Sequence, residues 1–277
     1  MITLIKKFLR TIIQAFRKAT ASSRPLPDFI IIGAQKAGTT SLYDYLNQHS
    51  QIKMSTPLKE VHYFSYDYSK GLDWYKSNFP IISNKERDNL LVGEASPYYL
   101  FHPHAAERMH NLLPDIKLIA ILRNPTERAV SHYFHELRHN TESLPIMEAL
   151  ETEESRIEPE REKMLKDNTY ESKTHQNLSY KARGRYAEQL EQYYKYYKKE
   201  QILVLTSEDL FNNTADCLKT VYEFLGMKTE IDNIDTTPSN VGKNKEELDK
   251  NVHQYLDEYF KEENKNLSQL INRDLPW

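Results

Sequence analysis

Residues 29–32 read Phe-Ile-Ile-Ile, and the next eight read Gly33-Ala34-Gln35-Lys36-Ala37-Gly38-Thr39-Thr40. A continuous apolar, β-branched run with no polar alternation suits a strand buried on both faces, as in the middle of a parallel sheet. A glycine-containing turn leading from such a strand into a helix, here expected over residues 41–49, aims backbone N–H groups at one spot. The helix dipole adds positive potential there, so an anion is favoured. The hydroxyls of Thr39, Thr40 and Ser41 add donors, and the Lys36 ammonium adds a point charge. This one stretch points the chain to an α/β architecture and nominates a phosphate site at the first turn.

The rest of the chain keeps the alternation. Apolar runs at 90–92, 116–122 and 201–205 read as strands, with helices expected at 125–138 and 186–199. Strands alternating with helices imply a parallel sheet covered on both faces, built as one domain over residues 28–277. Residues 141–173, dense in Glu, Lys and Arg, read as exposed helix and loop. The lone cysteine, Cys217, excludes a disulfide scaffold and a Cys-rich zinc site. No metal-ligand spacing appears, so no metal is expected. A net charge of −3 leaves no basic footprint for nucleic acid.

The charge is uneven. Residues 1–27 hold Lys6, Lys7, Arg10, Arg17, Lys18 and Arg24 and no acid. Ile2, Ile5, Leu9, Ile12, Ile13 and Phe16 recur between them at helical spacing. The apolar stretches fall short of the roughly 20 residues that span a bilayer, and charges interrupt what a signal peptide keeps apolar. Residues 1–20 read either as a basic amphipathic helix resting on an anionic membrane or as a helix packed on protein. Residues 22–27 read as a linker. The expected location is the cytoplasm, with peripheral membrane contact.

The phosphate turn departs from the nucleoside triphosphatase loop G-x-x-x-x-G-K-[ST]. Gly33 and Gly38 match its glycines, but Thr39 stands in the lysine's place and the lysine sits inside the loop as Lys36. Triphosphatases need that lysine for the β/γ-phosphates and the following hydroxyl for Mg²⁺, so this loop suits a single 5′-phosphate better. A nucleotide kinase or triphosphatase remains the alternative, and a non-catalytic membrane-associated binding protein a third reading. Arg123 follows the 116–122 strand, where ligands bind in open parallel sheets. Ser131 lies about two helical turns further on, and Arg with Ser is a sensible pair for a second phosphate.

The segments 33–42 (GAQKAGTTSL) and 123–133 (RNPTERAVSHY) together resemble the 5′-phosphosulfate and 3′-phosphate motifs of sulfotransferases that use 3′-phosphoadenosine 5′-phosphosulfate (PAPS). Lys59-Glu60-Val61-His62-Tyr63-Phe64 is similar to the heparan sulfate-type branch. Arg183-Gly184-Arg185-Tyr186 and Val241-Gly242-Lys243-Asn244 fall in the family's order. The resemblance implies a P-loop NTPase-like fold with PAPS as sulfate donor. Lys36, Ala37, Gly38, Thr39, Thr40 and Ser41 would hold the 5′-phosphosulfate, and Arg123 and Ser131 the 3′-phosphate. Gly242 and Lys243 would close a late loop over it, and Tyr186 would lie near the adenine or the 3′ side.

The resemblance also implies Glu60 as general base, with His62 as second choice or as a group that orients the acceptor. Lys36 would neutralise charge on the leaving phosphate. A glutamate works better as base if burial raises its pKa; a solvated carboxylate paired with Lys59 is the plainer reading. The implied acceptor is a hydroxyl of a glycan or glycolipid. Ala95 stands where the heparan 3-O branch has a lysine, so heparan specificity is not implied. Tyr63, Tyr66, Tyr68, Trp74 and Tyr75 are candidates to stack on sugar rings, with core packing at least as apt for Trp74.

Overall fold

The computed structural model describes residues 2–227, 234–239 and 250–277. Five strands, β1 (Phe29–Gly33), β2 (Ile52–Met54), β3 (Leu91–Ala95), β4 (Lys117–Leu122) and β5 (Ile202–Thr206), form one sheet in the order β2-β3-β1-β4-β5. Every pairing is parallel. The apolar run Phe29 to Ile32 is completely buried, as its lack of alternation requires. Leu118 to Leu122 on β4 are buried with it. Helices cover the sheet: Thr39–Asn47 packs on β1, β2 and β3, and Thr214–Leu225 packs on β5. The result is the single-domain α/β, P-loop NTPase-like arrangement implied by the sequence.

Four of the five strands fall where apolar runs place them. The edge strand β2 escapes the sequence pattern because it is three residues long and presents Lys53 to solvent between Ile52 and Met54. The helix expected at 186–199 stops at Tyr194. Residues 141–173 contain the helices Ile146–Glu151 and Glu153–Lys166 and are largely exposed. Glu153 is an exception: it is buried, and its carboxylate accepts from the N–H groups of Lys181 (2.6 Å) and Ala182 (2.8 Å), fixing the turn Ala182–Gly184.

A helix spans Ile2–Ala19. Arg17 near its end donates to the carbonyls of Ser77 (2.6 Å), Phe79 (3.3 Å) and Thr56. Arg24, in the stretch read as linker, is buried and donates to Phe79 O and Thr20 Oγ1. Two guanidinium groups therefore fasten the extension to the domain.

On β3, Gly93 faces the Phe29 ring, and a Cβ there would lie 2.3–2.7 Å from three ring atoms. Gly93→Ala is expected to overpack this contact and cost about 1–3 kcal/mol, read as a lower melting temperature. An unchanged melting curve would show that β1 and β3 can separate without penalty.

Candidate active site

The chain leaves β1 toward β2 on one side of the sheet and leaves β4 toward β5 on the other. Adjacent strands whose exits diverge open a crevice at their carboxyl ends, the usual ligand position in such sheets. The β1 exit carries Lys36 and the β4 exit carries Arg123. Although 87 residues apart in sequence, they meet: Arg123 Nη1 donates to Lys36 O at 3.3 Å.

The loop after β1 holds a conformation that only its surroundings justify. Lys36 has φ +70° and Gly38 φ +99°, both left-handed. Ser207 Oγ donates to Ala37 O (2.6 Å), and Arg123 grips Lys36 O. Gly38 caps helix Thr39–Asn47 without a side chain, so Gly38 itself offers the first-turn N–H groups no cap. Burial, then Arg138 and Arg123, push the Lys36 ammonium below the usual lysine range, with Glu136 opposing. A cation disfavoured by burial and by other cations gains most from a multiply charged anion. The residues present therefore fit a multiply charged anion, the phosphosulfate end of PAPS included.

Thr40 Oγ1 accepts from Lys59 Nζ, so a second ammonium reaches the loop. Ser41 is fully buried, and its Oγ accepts from Ser239 N at 3.0 Å, tying helix Thr39–Asn47 to residues 234–239. Tyr45 OH donates to Thr236 O (2.7 Å) in the same strap. Gly242 and Lys243 lie outside the described residues.

Arg123 is placed by its neighbours. Tyr186 is buried and its OH donates to Arg123 O at 3.0 Å, so it holds the arginine's main chain. Asn124 caps helix Pro125–Arg138, its Oδ1 accepting from Thr126 N (3.0 Å) and Glu127 N (3.3 Å), with Pro125 in the first turn. The Arg123 guanidinium also meets Glu127 Oε2 at 3.3 Å. Ser131 is half-buried on that helix.

Glu60 Oε2 lies 3.2 Å from His62 Nε2, and 43% of the Glu60 side chain is exposed, leaving it open to a substrate. His62 has φ +56° and donates its N–H to Ser96 Oγ at 3.0 Å. Its ring stacks on Tyr66 at 4.3 Å. Burial pushes the Glu60 carboxyl up, but the His62 contact, Lys59 and Arg183 outweigh it and hold the group below the usual carboxylate range. The sequence places Lys59 and His62 beside Glu60 but not Arg183, which reaches it from 123 residues away, nor the burial that opposes them. His135 is pushed down to about 4 by burial and then by Lys36, with Glu60 opposing, so it feels both groups.

Two contributors escape a sequence reading of roles: Lys59, on Thr40, and Arg183. Arg183 is buried, donates to Gln35 Oε1 of the loop after β1 and to Gln176 O, and lies 4.7 Å over the Tyr98 ring. Its Nε finds no partner among the described residues. Burial pushes it down to about 10. Its only signal in the sequence is its place in the 183–186 segment. Of the aromatic candidates, Tyr63, Trp74 and Tyr75 are core residues, with Tyr63 and Tyr75 stacked at 4.4 Å. Tyr68 is exposed but sits against Arg108, and only Tyr66 lies beside the Glu60–His62 pair.

The sulfotransferase domain family matches residues 26–273. The chain belongs to the sulfotransferase family. A membrane-associated sulfotransferase, kil1, of Dictyostelium discoideum is 28% identical, over 91% of this chain and 66% of its own length. A bifunctional heparan sulfate N-deacetylase/N-sulfotransferase 1 of Xenopus laevis is 31% identical, over 88% of this chain and 30% of its own length. The chain thus spans 66% and 30% of these two relatives. The crystal structure of a sulfotransferase from Alicyclobacillus acidocaldarius superposes with a TM-score of 0.68 at 32% identity, covering 91% of this chain and 98% of that one. Family membership and the displaced lysine leave the kinase alternative without support. Among the described residues no helix is long and apolar enough to cross a membrane, and no group of three or more His, Cys, Asp or Glu is arranged to hold a metal.

Proposed function

We propose that this sulfotransferase moves the sulfuryl group of PAPS to a hydroxyl of a saccharide or glycolipid, through the site at the β1 and β4 exits. The observation that carries the reading is the contact of Arg123 with the Lys36 carbonyl, which joins the two anion-recognising segments in one crevice. PAPS supplies the activated sulfur: the acceptor oxygen bonds to it as the bond to the bridging phosphate oxygen breaks. Glu60 takes the hydroxyl proton, His62 orients it, and Lys36 stabilises charge on the leaving phosphate. Lys36 to Ser41 hold the 5′ end, and Arg123 with Ser131 the 3′-phosphate, with Gly242, Lys243 and Tyr186 completing the nucleotide site. A glycan acceptor is in keeping with the heparan sulfate-acting frog relative. The test pairs a thermal-shift titration with an acceptor screen using radiolabelled PAPS. Stabilisation by 3′-phosphoadenosine 5′-phosphate (PAP) and not by ATP·Mg²⁺ is expected; the reverse would overturn the reading.

A membrane role for residues 1–20 rests on Ile12, Ile13 and Phe16, which are 49%, 54% and 60% exposed on a helix pinned by Arg17. Apolar residues presented beside an acid-free basic stretch suit the cytoplasmic face of an anionic bilayer. Flotation with phosphatidylglycerol vesicles should recover the protein, and Ile12→Glu with Phe16→Glu should leave it behind. Equal recovery of both forms would point to protein packing instead.

A further inference from the structure

Glu94, next to last in β3, is completely buried, and among the described residues its partners are hydroxyls rather than a cation. Tyr75 OH donates to Oε1 at 2.6 Å, and Ser96 Oγ donates to Oε2 at 3.0 Å. Tyr99 OH lies 3.5 Å and 3.4 Å from the two oxygens. A buried carboxylate without a cation is costly, so its placement calls for a use.

The use lies one bond further out. A hydroxyl has one proton and two lone pairs. With its proton committed to Glu94, Ser96 Oγ turns a lone pair outward, and His62 N–H donates to it at 3.0 Å. Tyr99 OH likewise accepts from Phe64 N–H at 3.3 Å. Two peptide groups of the 60–66 segment thus hang on one carboxylate through two hydroxyls. Between them His62 is held at φ +56°, a conformation that a residue with a side chain keeps only when its surroundings enforce it. That main-chain setting brings the His62 ring within 3.2 Å of Glu60.

We infer that Glu94 is a positioning residue for the transfer reaction: through Ser96 and Tyr99 it fixes the backbone that carries the Glu60–His62 pair, without touching either substrate. Burial pushes its carboxyl up to about 7, and the Tyr75, Ser96 and Tyr99 hydroxyls oppose that push. The inference rests on Glu60 acting as base.

The test compares Glu94→Gln, Ser96→Ala and the double variant, with kcat, KM for PAPS and calorimetric PAP affinity as readouts. Glutamine keeps the shape of Glu94 but turns one of its two acceptor oxygens into an amide donor, so either Tyr75 or Ser96 loses its acceptor. Each single variant is expected to lower kcat about ten-fold or more, as small displacements of reacting groups do, with PAP affinity unchanged. The double variant is expected to lose no more than the worse single one, because both cut the same chain. Should Glu94→Gln fail to fold, Ser96→Ala carries the test, since it leaves Tyr75 and Tyr99 on the carboxylate. Wild-type kcat in Ser96→Ala, or a loss of PAP affinity parallel to the loss of kcat, overturns the positioning role. Wild-type kcat in Glu60→Gln instead overturns the base assignment, so the two failures are distinguishable.

Discussion

Glu60→Gln should lower kcat by about 10²–10⁴-fold while leaving PAP affinity unchanged. Glutamine preserves the size of the side chain and its approach to His62, so the nucleotide half of the site is undisturbed; what is lost is the capacity to accept a proton. The pH profile sharpens the expectation. His62, Lys59 and Arg183 hold the Glu60 carboxyl below the usual carboxylate range against the upward push of burial. The base works when deprotonated, so activity falls as pH drops through its pKa. In kcat/KM, which reports the free enzyme, that limb is expected below the usual carboxylate range. A bound donor brings negative charge to the same space and raises the pKa, so the limb in kcat should lie at higher pH than the limb in kcat/KM. Loss of both limbs' Glu60 component in the glutamine variant would complete the assignment. Turnover at the wild-type rate would move the base elsewhere, with His62 next in line.

Lys36→Ala is expected to be nearly as severe, lowering kcat by about 10²–10³-fold, the range for losing one preorganised charge donor at a developing anion. Lys36 sits on a left-handed turn with Arg123 clasping its carbonyl, and its ammonium is pushed down by burial and by Arg138 and Arg123. In the proposed reaction, that unfavourable environment is relieved as charge builds on the bridging oxygen. Single-turnover measurements with radiolabelled PAPS separate this loss from weakened binding. Lys36→Arg should not rescue, because a guanidinium brings a wider planar head into a crevice already holding arginines. Lys59 offers the control: its ammonium bonds the Thr40 hydroxyl. If Lys59→Ala is the slower variant and Lys36→Ala turns over normally, the two lysines have exchanged roles.

The parts of this molecule that were legible in sequence are those whose signal is local. β1 announces itself by four consecutive apolar residues, and the turn into the next helix by a lysine, two glycines and three hydroxyls in nine positions. The helix after β4 is marked by Asn124 and Pro125 at its start. What stays hidden depends on contacts between distant residues. Arg183 joins the candidate site because it reaches Gln35, 148 positions away. The lowered carboxyl of Glu60 depends in part on Arg183, 123 positions away, besides its sequence neighbours Lys59 and His62. Tyr63, Trp74 and Tyr75 are chemically suited to sugars, yet the burial of apolar area against the sheet claims them first.

The clasp between Arg123 and the Lys36 carbonyl has one more implication. β1 and β4 are hydrogen-bonded neighbours, about 4.8 Å apart, and the clasp joins the turns that leave them. The two grips proposed for the donor are tied to each other, so the proposed crevice would measure span as well as charge. An isomer with its second phosphate on the 2′ carbon carries the same charge but the wrong reach, and it should be rejected as a mismatched gauge rather than as a weaker anion.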